Sequence, residues 1–285
     1  MHRNEVGSLK DGLASTLGEP IGRGNTATIY RWGKTEVVKL FHDGLTARQE
    51  AEKEAAKAVF FQKLGLNAPS FGGFVEFEGR PGLIYERIEG LTMLWTIEPS
   101  AASVSAHARM MARLQNELHG VRAEGGPELK TDMARMIQWA PWLTESEKQA
   151  SQAVLDVLPA GERVCHYDFH PDNIILSPRG PVIIDWMNAL VGDPAADVAR
   201  SSMMLQGRSL PPGAPEWVRR RELRELFHHD YRQEYFSLSG MDPALADAWM
   251  VPTFAVRAAE MDRGDDGRHA AQLRSLLAAT PGGWT

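Results

Sequence analysis

The segment Val164-Cys165-His166-Tyr167-Asp168-Phe169-His170-Pro171-Asp172-Asn173-Ile174-Ile175-Leu176 crowds carboxylates, imidazoles and an amide between two apolar stretches. Val182-Ile183-Ile184-Asp185-Trp186 follows shortly and ends in another carboxylate. Two short apolar strands therefore deliver polar groups to one place. Asp168 and Asn173 bracket a tight loop, and Asp185 closes the following strand. Three oxygen-bearing side chains beside a loop suit Mg²⁺, a hard cation that prefers carboxylate and amide oxygens. Asp168 is the group left to accept a proton from an incoming hydroxyl. Zinc is a poor match, because Cys165 is the single cysteine and His228-His229 lacks partners at ligand spacing.

The elements that position these groups fall into two textures. Thr28-Ile29-Tyr30-Arg31-Trp32 and Glu36-Val37-Val38-Lys39-Leu40-Phe41 are rich in β-branched and aromatic residues and are split by Gly33-Lys34, a hairpin pattern. Thr46 to Leu64 changes to Ala, Glu, Lys and Gln, strong helix formers. Phe71–Phe77 and Pro81–Ile88 predict a second hairpin around Glu78-Gly79-Arg80. From Ser103 to His119, Val104, Met111, Leu114 and Leu118 share one helical face, with Gly120 as the expected C-terminal cap. Helical texture continues over 131–158, around Pro141, and from Pro215 to Leu277. The expected organisation is α+β in two lobes: residues 1–90 with an antiparallel sheet plus a helix, and residues 91–285, mainly helical and carrying the catalytic loop and acceptor site.

His166-x-Asp168-x₄-Asn173 followed by Ile184-Asp185-Trp186 resembles the catalytic core of the aminoglycoside phosphotransferase family, which is similar to choline, homoserine and methylthioribose kinases and shares the protein-kinase-like fold. Gly192-Asp193-Pro194-Ala195-Ala196-Asp197-Val198-Ala199 is similar to that family's segment after the metal aspartate. The resemblance extends over most of the chain and is carried chiefly by residues 20–90 and 164–200. It implies an ATP-dependent kinase (GTP being an open alternative) that moves a γ-phosphate to a hydroxyl of a small molecule, with Asp168 as the base and Asn173 and Asp185 holding Mg²⁺. Gly22-Arg23-Gly24-Asn25-Thr26-Ala27 resembles the kinase glycine-rich loop, with Ala27 at the usual third glycine; Gly22, Gly24, Asn25 and Thr26 are its expected nucleotide contacts. Val37-Val38-Lys39 resembles the lysine strand, and Glu54 the helix glutamate that fixes it. Glu50, one turn earlier, reads as a solvated position. Leu83 to Gly90 resembles the hinge, where the backbone groups of Glu86 and Ile88 are expected to meet the base, with Tyr85 beside it.

Other features read as structural. His166 and Asp197 brace the loop; His170 either positions it or lines the acceptor side; Asp172 is exposed. Met110-Met111 and Met203-Met204 fill the core. Arg219-Arg220-Arg221 and Arg224, interleaved with Glu222 and Glu225, form a solvated face. No Asp-Phe-Gly or Ala-Pro-Glu is present, and Asp185 to Asp197 is too short for a long phosphorylated loop. A small-molecule acceptor therefore fits better than a protein. A non-catalytic pseudokinase scaffold and an atypical protein kinase are the competing readings; intact Lys39, Asp168, Asn173 and Asp185 speak against the scaffold.

The 285 residues suffice for two lobes. With 43% hydrophobic and 24% charged residues the chain is neither disordered nor a disulfide scaffold. A net charge of −6 speaks against nucleic-acid binding by bulk electrostatics. No apolar run spans a membrane and the N-terminus lacks a signal-peptide pattern, so a soluble, cytoplasmic protein, favoured as a monomer, is expected. The acceptor itself has no readable motif. Asp242, Asp247, Glu260, Asp262, Asp265 and Asp266 would favour a cationic acceptor if any of Glu260, Asp262, Asp265 and Asp266 faced the cleft; Gly264 and Gly267 point instead to an exposed turn.

Overall fold

Residues 17–24, 26–207, 210, 213–260 and 268–279 are described in a computed structural model of the chain. Its first part is a five-stranded antiparallel sheet in the order β1-β2-β3-β5-β4, built from β1 (Gly22–Arg23), β2 (Ala27–Trp32), β3 (Glu36–Phe41), β4 (Phe71–Phe77) and β5 (Arg80–Glu86). Gly33 makes the β2–β3 turn at φ 63°, a left-handed conformation that glycine adopts without steric cost. The register Val37↔Tyr85 and Lys39↔Leu83 puts these four side chains on one face of the sheet. That face is covered by helix α1 (Ala47–Gln62), whose buried residues Ala47, Ala51, Glu54, Ala58 and Phe61 recur at helical spacing. Glu54 is the one charged member of the stripe.

The chain leaves the sheet through Gly90, at φ 142°. A Cβ there would lie 2.4 Å from the Leu176 carbonyl oxygen, so backbone passes against backbone and only glycine fits. Strand β6 (Leu91–Thr92) and helices α2 (Met93–Thr96), α3 (Ala101–Gly120), α4 (Leu129–Trp139) and α5 (Glu145–Val157) follow. Ser100 caps α3 by accepting from the Ser103 N–H. Gly120, expected as the cap, is instead the last helical residue, and extended Val121 ends the helix. Strand β7 (Arg163–Cys165) pairs with β10 (Leu190–Gly192); between them β8 (Ile174–Ser177) and β9 (Gly180–Ile183) form a hairpin that β6 extends. Helices α6 (Pro194–Leu205), α7 (Glu216–Arg219), α8 (Arg221–Ser239), α9 (Pro243–Ala248), α10 (Met250–Glu260) and α11 (Arg268–Ala279) complete the chain. One large core joins these helices around Trp249, Tyr231, Phe227 and Phe169. A smaller one, with Phe61, Leu118, Val164 and Val191, welds α1 to the helical lobe. No helix among the described residues is long and apolar enough to cross a membrane.

Candidate active site

The loop between β7 and β8 is held from behind. Asp197, fully buried on α6, accepts the backbone N–H groups of His166 and Tyr167 at 2.9 and 2.8 Å, and lies 3.0 Å from His119 Nε2. Burial pushes the Asp197 carboxyl up, but His119 and the backbone donors outweigh it and hold it below the usual range. The support matters because Tyr167 sits at φ 60°, costly for a bulky residue. The His166 imidazole, pushed toward its neutral form by burial, donates from Nε2 to the Ile184 carbonyl at 3.0 Å. That bond fastens the loop to the turn carrying Asp185, itself at φ 60°. His166 and Asp197 are thus braces, as their sequence positions suggested.

Asn173 is buried and donates from Nδ2 to the Asp168 carbonyl at 2.9 Å, with the Asp168 carboxylate at 3.3 Å. Asp168 is 24% exposed, enough to face a ligand. His170 Nδ1 accepts the Asp172 N–H, which helps hold the loop, and Nε2 stands 3.8 Å from Asp168 Oδ1 at the edge of a neighbouring cavity. Asp172 is exposed and accepts from the Thr92 hydroxyl at 2.6 Å.

Across the cleft, Lys39 Nζ lies 3.0 Å from Glu54 and 3.1 Å from Asp185, so one ammonium joins the sheet, α1 and the β9 turn. Burial pulls the Lys39 ammonium down, but Asp185 and Glu54 outweigh it and hold it above its ordinary value. Burial pushes Asp185 up, yet Lys39 more than offsets this and keeps it low. Glu54 differs: burial raises its carboxyl and Lys39 compensates only in part. One cation cannot fully neutralise two carboxylates. Glu50 stays out of the cluster and accepts from the Thr46 hydroxyl.

Tyr85, expected beside a base, is anchored to α1. Its hydroxyl donates to Glu54 at 3.1 Å and its ring packs on Phe71, so it walls the back of the Lys39 cluster. The register explains this, since Tyr85 shares the α1-facing side of β5 with Leu83. Glu86 spends its backbone N–H on the Ser70 carbonyl, leaving its carbonyl as the group to offer. The Ile88 backbone makes no hydrogen bond among the described residues. Gly22 and Gly24 have no positive φ, and a Cβ on either would meet only ordinary contacts at 3.5 and 3.6 Å, so internal packing does not demand their smallness. Thr26 follows, half-buried, its carbonyl taking the His42 N–H. Asn25 lies outside the described residues.

Of the four carboxylates considered for a cationic acceptor, Glu260 is the one among the described residues, and it is held in ion pairs. Glu260 is bound by Arg200 at 2.5 Å and Arg257 at 2.9 Å. Asp262, Asp265 and Asp266 lie outside the described residues. Arg224 leaves the solvated face assigned to it and turns inward to the Val218 carbonyl, while Arg220 and Arg221 pair with Glu222 and Glu225 as expected. Met204 packs against the large core and also borders the cavity. Sequence reasoning missed Arg200, whose buried guanidinium lies over the Tyr167 ring at 5.2 Å; its spacing of three from Asp197 on one helix was the available signal. It also missed Trp217 and Phe227, which no pattern separates from ordinary core.

Residues 18–240 match the phosphotransferase enzyme family. A curated relative, streptomycin 6-kinase of Streptomyces griseus, is 27% identical over 150 residues, 47% of this chain and 48% of its own, so the chain spans about half the length of that relative. Among solved structures, a thermostable mutant of the aminoglycoside phosphotransferase APH(4)-Ia in ternary complex with ADP and hygromycin B superposes with a TM-score of 0.62 at 15% identity, covering 92% of each chain. The GDP complex of an aminoglycoside 2'-phosphotransferase-IIIa mutant gives 0.54 at 16%, covering 93% of each. These likenesses show a common fold of antiparallel sheet followed by helical lobe, and the match over most of its length establishes that the chain belongs to the phosphotransferase enzyme family.

Proposed function

We propose that the chain is a Mg²⁺- and ATP-dependent phosphotransferase acting on a hydroxyl of a small molecule, residues 1–90 handling the nucleotide and 91–285 the acceptor. The observation that carries the reading is the Lys39 ammonium, fixed by Glu54 and Asp185 opposite the Asp168–Asn173 loop. The donor set fits a hard cation. Asp185 Oδ1 is taken by Lys39, and neither its second oxygen nor the Asn173 amide oxygen has a hydrogen-bond partner among the described residues. Asp185 and Asn173 would hold Mg²⁺, which when bound neutralises charge on the phosphate oxygens.

In this mechanism Lys39 takes phosphate oxygens while Glu54 keeps it aimed. The β1–β2 turn brings the backbone at Gly22, Gly24 and Thr26 close to the phosphates, and the Glu86 carbonyl and Ile88 backbone meet the base. Asp168 accepts the acceptor's hydroxyl proton as the new O–P bond forms and the bond to the ADP oxygen breaks, its electron pair leaving with ADP. Asn173, donating to Asp168, orients that carboxylate. Catalysis is mostly positioning and charge stabilisation. Asp168→Asn tests it: kcat should fall ~10²–10⁴-fold with Mg-ADP affinity retained. Undiminished turnover would remove Asp168 from the reaction. The bound GDP of one neighbour makes GTP the second donor to assay.

A further inference from the structure

A cavity of about 220 Å³ opens beside the catalytic loop. His170, Pro171 and Asp172 form one edge, and His170 is shared between this cavity and Asp168. Most of the remaining wall is apolar: Leu94 on α2, Met204 on α6, Trp217 on α7 and Phe227 on α8, with Leu210 from the α6–α7 connection. Trp217 and Phe227 stack with centroids 5.2 Å apart, and the indole N–H is already spent on the Leu94 carbonyl at 2.9 Å, so the ring offers carbon rather than a donor. Besides His170, the charged or titratable lining residues are Asp172 and Arg224, both already partnered, by Thr92 and by the Val218 carbonyl. A second cavity, of about 520 Å³, shares Leu205 and Arg224 with the first. Its one carboxylate, Glu225, is paired with Arg221. Its imidazole, His228, is pushed down to about 4 by burial and by Arg232, so it is neutral near pH 7.

A polycation leaving water needs carboxylates free to meet its charges. Among the described residues the carboxylates at these cavities are Asp172, a single rim group with the Thr92 hydroxyl on one oxygen, and Glu225, paired with Arg221, while Glu260 is tied to Arg200 and Arg257; one rim carboxylate is too few for a polycation. Apolar pockets with few polar groups suit apolar bodies instead. Resting on the phosphotransferase reading above, we infer that the acceptor is an alcohol carrying an apolar, uncharged body, ring-sized or somewhat larger, which fills the Trp217–Phe227 cavity and directs its hydroxyl past His170 toward Asp168. An apolar cavity of roughly 150 Å³ already takes up benzene, so the present volume holds a ring with substituents. His170 and Asp172 supply the polar rim through which the hydroxyl enters.

The test measures ADP release by the full chain with Mg-ATP and four acceptors: 2-phenylethanol, 2-(2-naphthyl)ethanol, streptomycin and hygromycin B. Melting with and without Mg-ADP is recorded in parallel. The aryl alcohols should exceed both aminoglycosides in kcat/KM by about 10-fold or more, in line with what one or two methylenes achieve in an apolar pocket. Ala214→Phe, which fills the cavity, should raise the aryl-alcohol KM by about 10-fold. Should that variant fail to fold by circular dichroism, Met204→Lys, at a half-buried rim position, should do the same. Preference for either aminoglycoside, or an aryl-alcohol KM unmoved in the folded variant, overturns the inference. Mg-ADP stabilisation without turnover of any aryl alcohol overturns it while leaving the phosphotransferase reading standing. Absence of both Mg-ADP stabilisation and ADP release refutes the phosphotransferase reading itself, and the acceptor inference with it.

Discussion

Replacing Glu54 by glutamine should move stability and nucleotide affinity in opposite directions. Lys39 Nζ is nearly equidistant from Glu54 and Asp185, at 3.0 and 3.1 Å. At an effective dielectric near 20, each contact represents roughly 5 kcal/mol of raw attraction, much of it offset by the loss of hydration. A charge-assisted hydrogen bond nets about 1.5–3 kcal/mol, which sets the loss of Lys39 positioning at roughly 10- to 100-fold in Mg-ADP affinity. Lys39 would then lean wholly on Asp185 and compete with the cation for that carboxylate, which works in the same direction. Stability follows another rule. Because burial leaves the Glu54 carboxyl above its ordinary value, the ionised group opposes folding: its contribution is present below the unfolded carboxylate pKa and is lost as pH rises through the higher folded one. A neutral isostere that keeps an oxygen for the Tyr85 hydroxyl should therefore melt no lower than wild type at pH 7. Calorimetric titration of Mg-ADP and thermal melting without nucleotide decide the matter together. A variant that melts several degrees lower yet binds Mg-ADP normally would refute the assignment of Glu54 to Lys39 positioning.

Asp185→Ala should abolish the Mg²⁺ dependence of nucleotide binding and Asn173→Ala should only weaken it, since an amide attracts a dication less than a carboxylate; calorimetric titration over a range of Mg²⁺ concentrations separates them, and equal, undiminished dependence would refute the ligand set. Arg200→Met should cost about 3–5 kcal/mol of stability in chemical denaturation, because it strips a buried ion pair of one partner. The double change Arg200→Met/Glu260→Met should recover much of that, and no recovery would mean the pair is not what the seam between α6 and α10 depends on. Lys39 is held above its ordinary 10.5, so the stability it contributes is complete below that value and is lost as pH rises through the folded one. Melting of wild type and Lys39→Met should therefore converge above pH 10.5, and parallel curves would contradict the raised value.

What was legible in the sequence was whatever local spacing encodes. Gly33 with flanking β-branched runs, and the Ala-Glu-Lys texture after Thr46, specify hairpin and helix without help from the rest of the chain. Asp168, Asn173 and Asp185 stood out by residue type at the ends of short apolar runs, Lys39 and Glu54 by resemblance to the kinase lysine strand and helix glutamate, and the structure joins Lys39 to Glu54 and Asp185, and Asn173 to Asp168. The Tyr85–Glu54 contact was not legible, because the face a strand residue presents depends on pairing register, here Val37↔Tyr85, which no local pattern reveals. Arg224 was misread, and the second partner of Glu260 was missed, for a related reason. The Val218 carbonyl and Arg200 reach them through helix packing that charge counting along the chain cannot anticipate. Trp217 and Phe227 carry no signal at all until tertiary packing stacks them on the wall of a cavity.

Helix α1 is fastened at both ends of its function. Glu54 meets Lys39 on the sheet, while Lys57 donates to the Met187 carbonyl at 2.8 Å, Phe61 packs on Trp186 at 5.7 Å, and the following Asn67 carbonyl accepts the Ile183 N–H at 3.0 Å. On the phosphotransferase reading, the lysine is therefore aimed before any nucleotide arrives. A site so preformed would run the standing danger of spending its nucleotide on water. Economy would then have to come from the cavity beside the Asp168 loop, whose apolar lining water wets poorly and so keeps the competing nucleophile scarce.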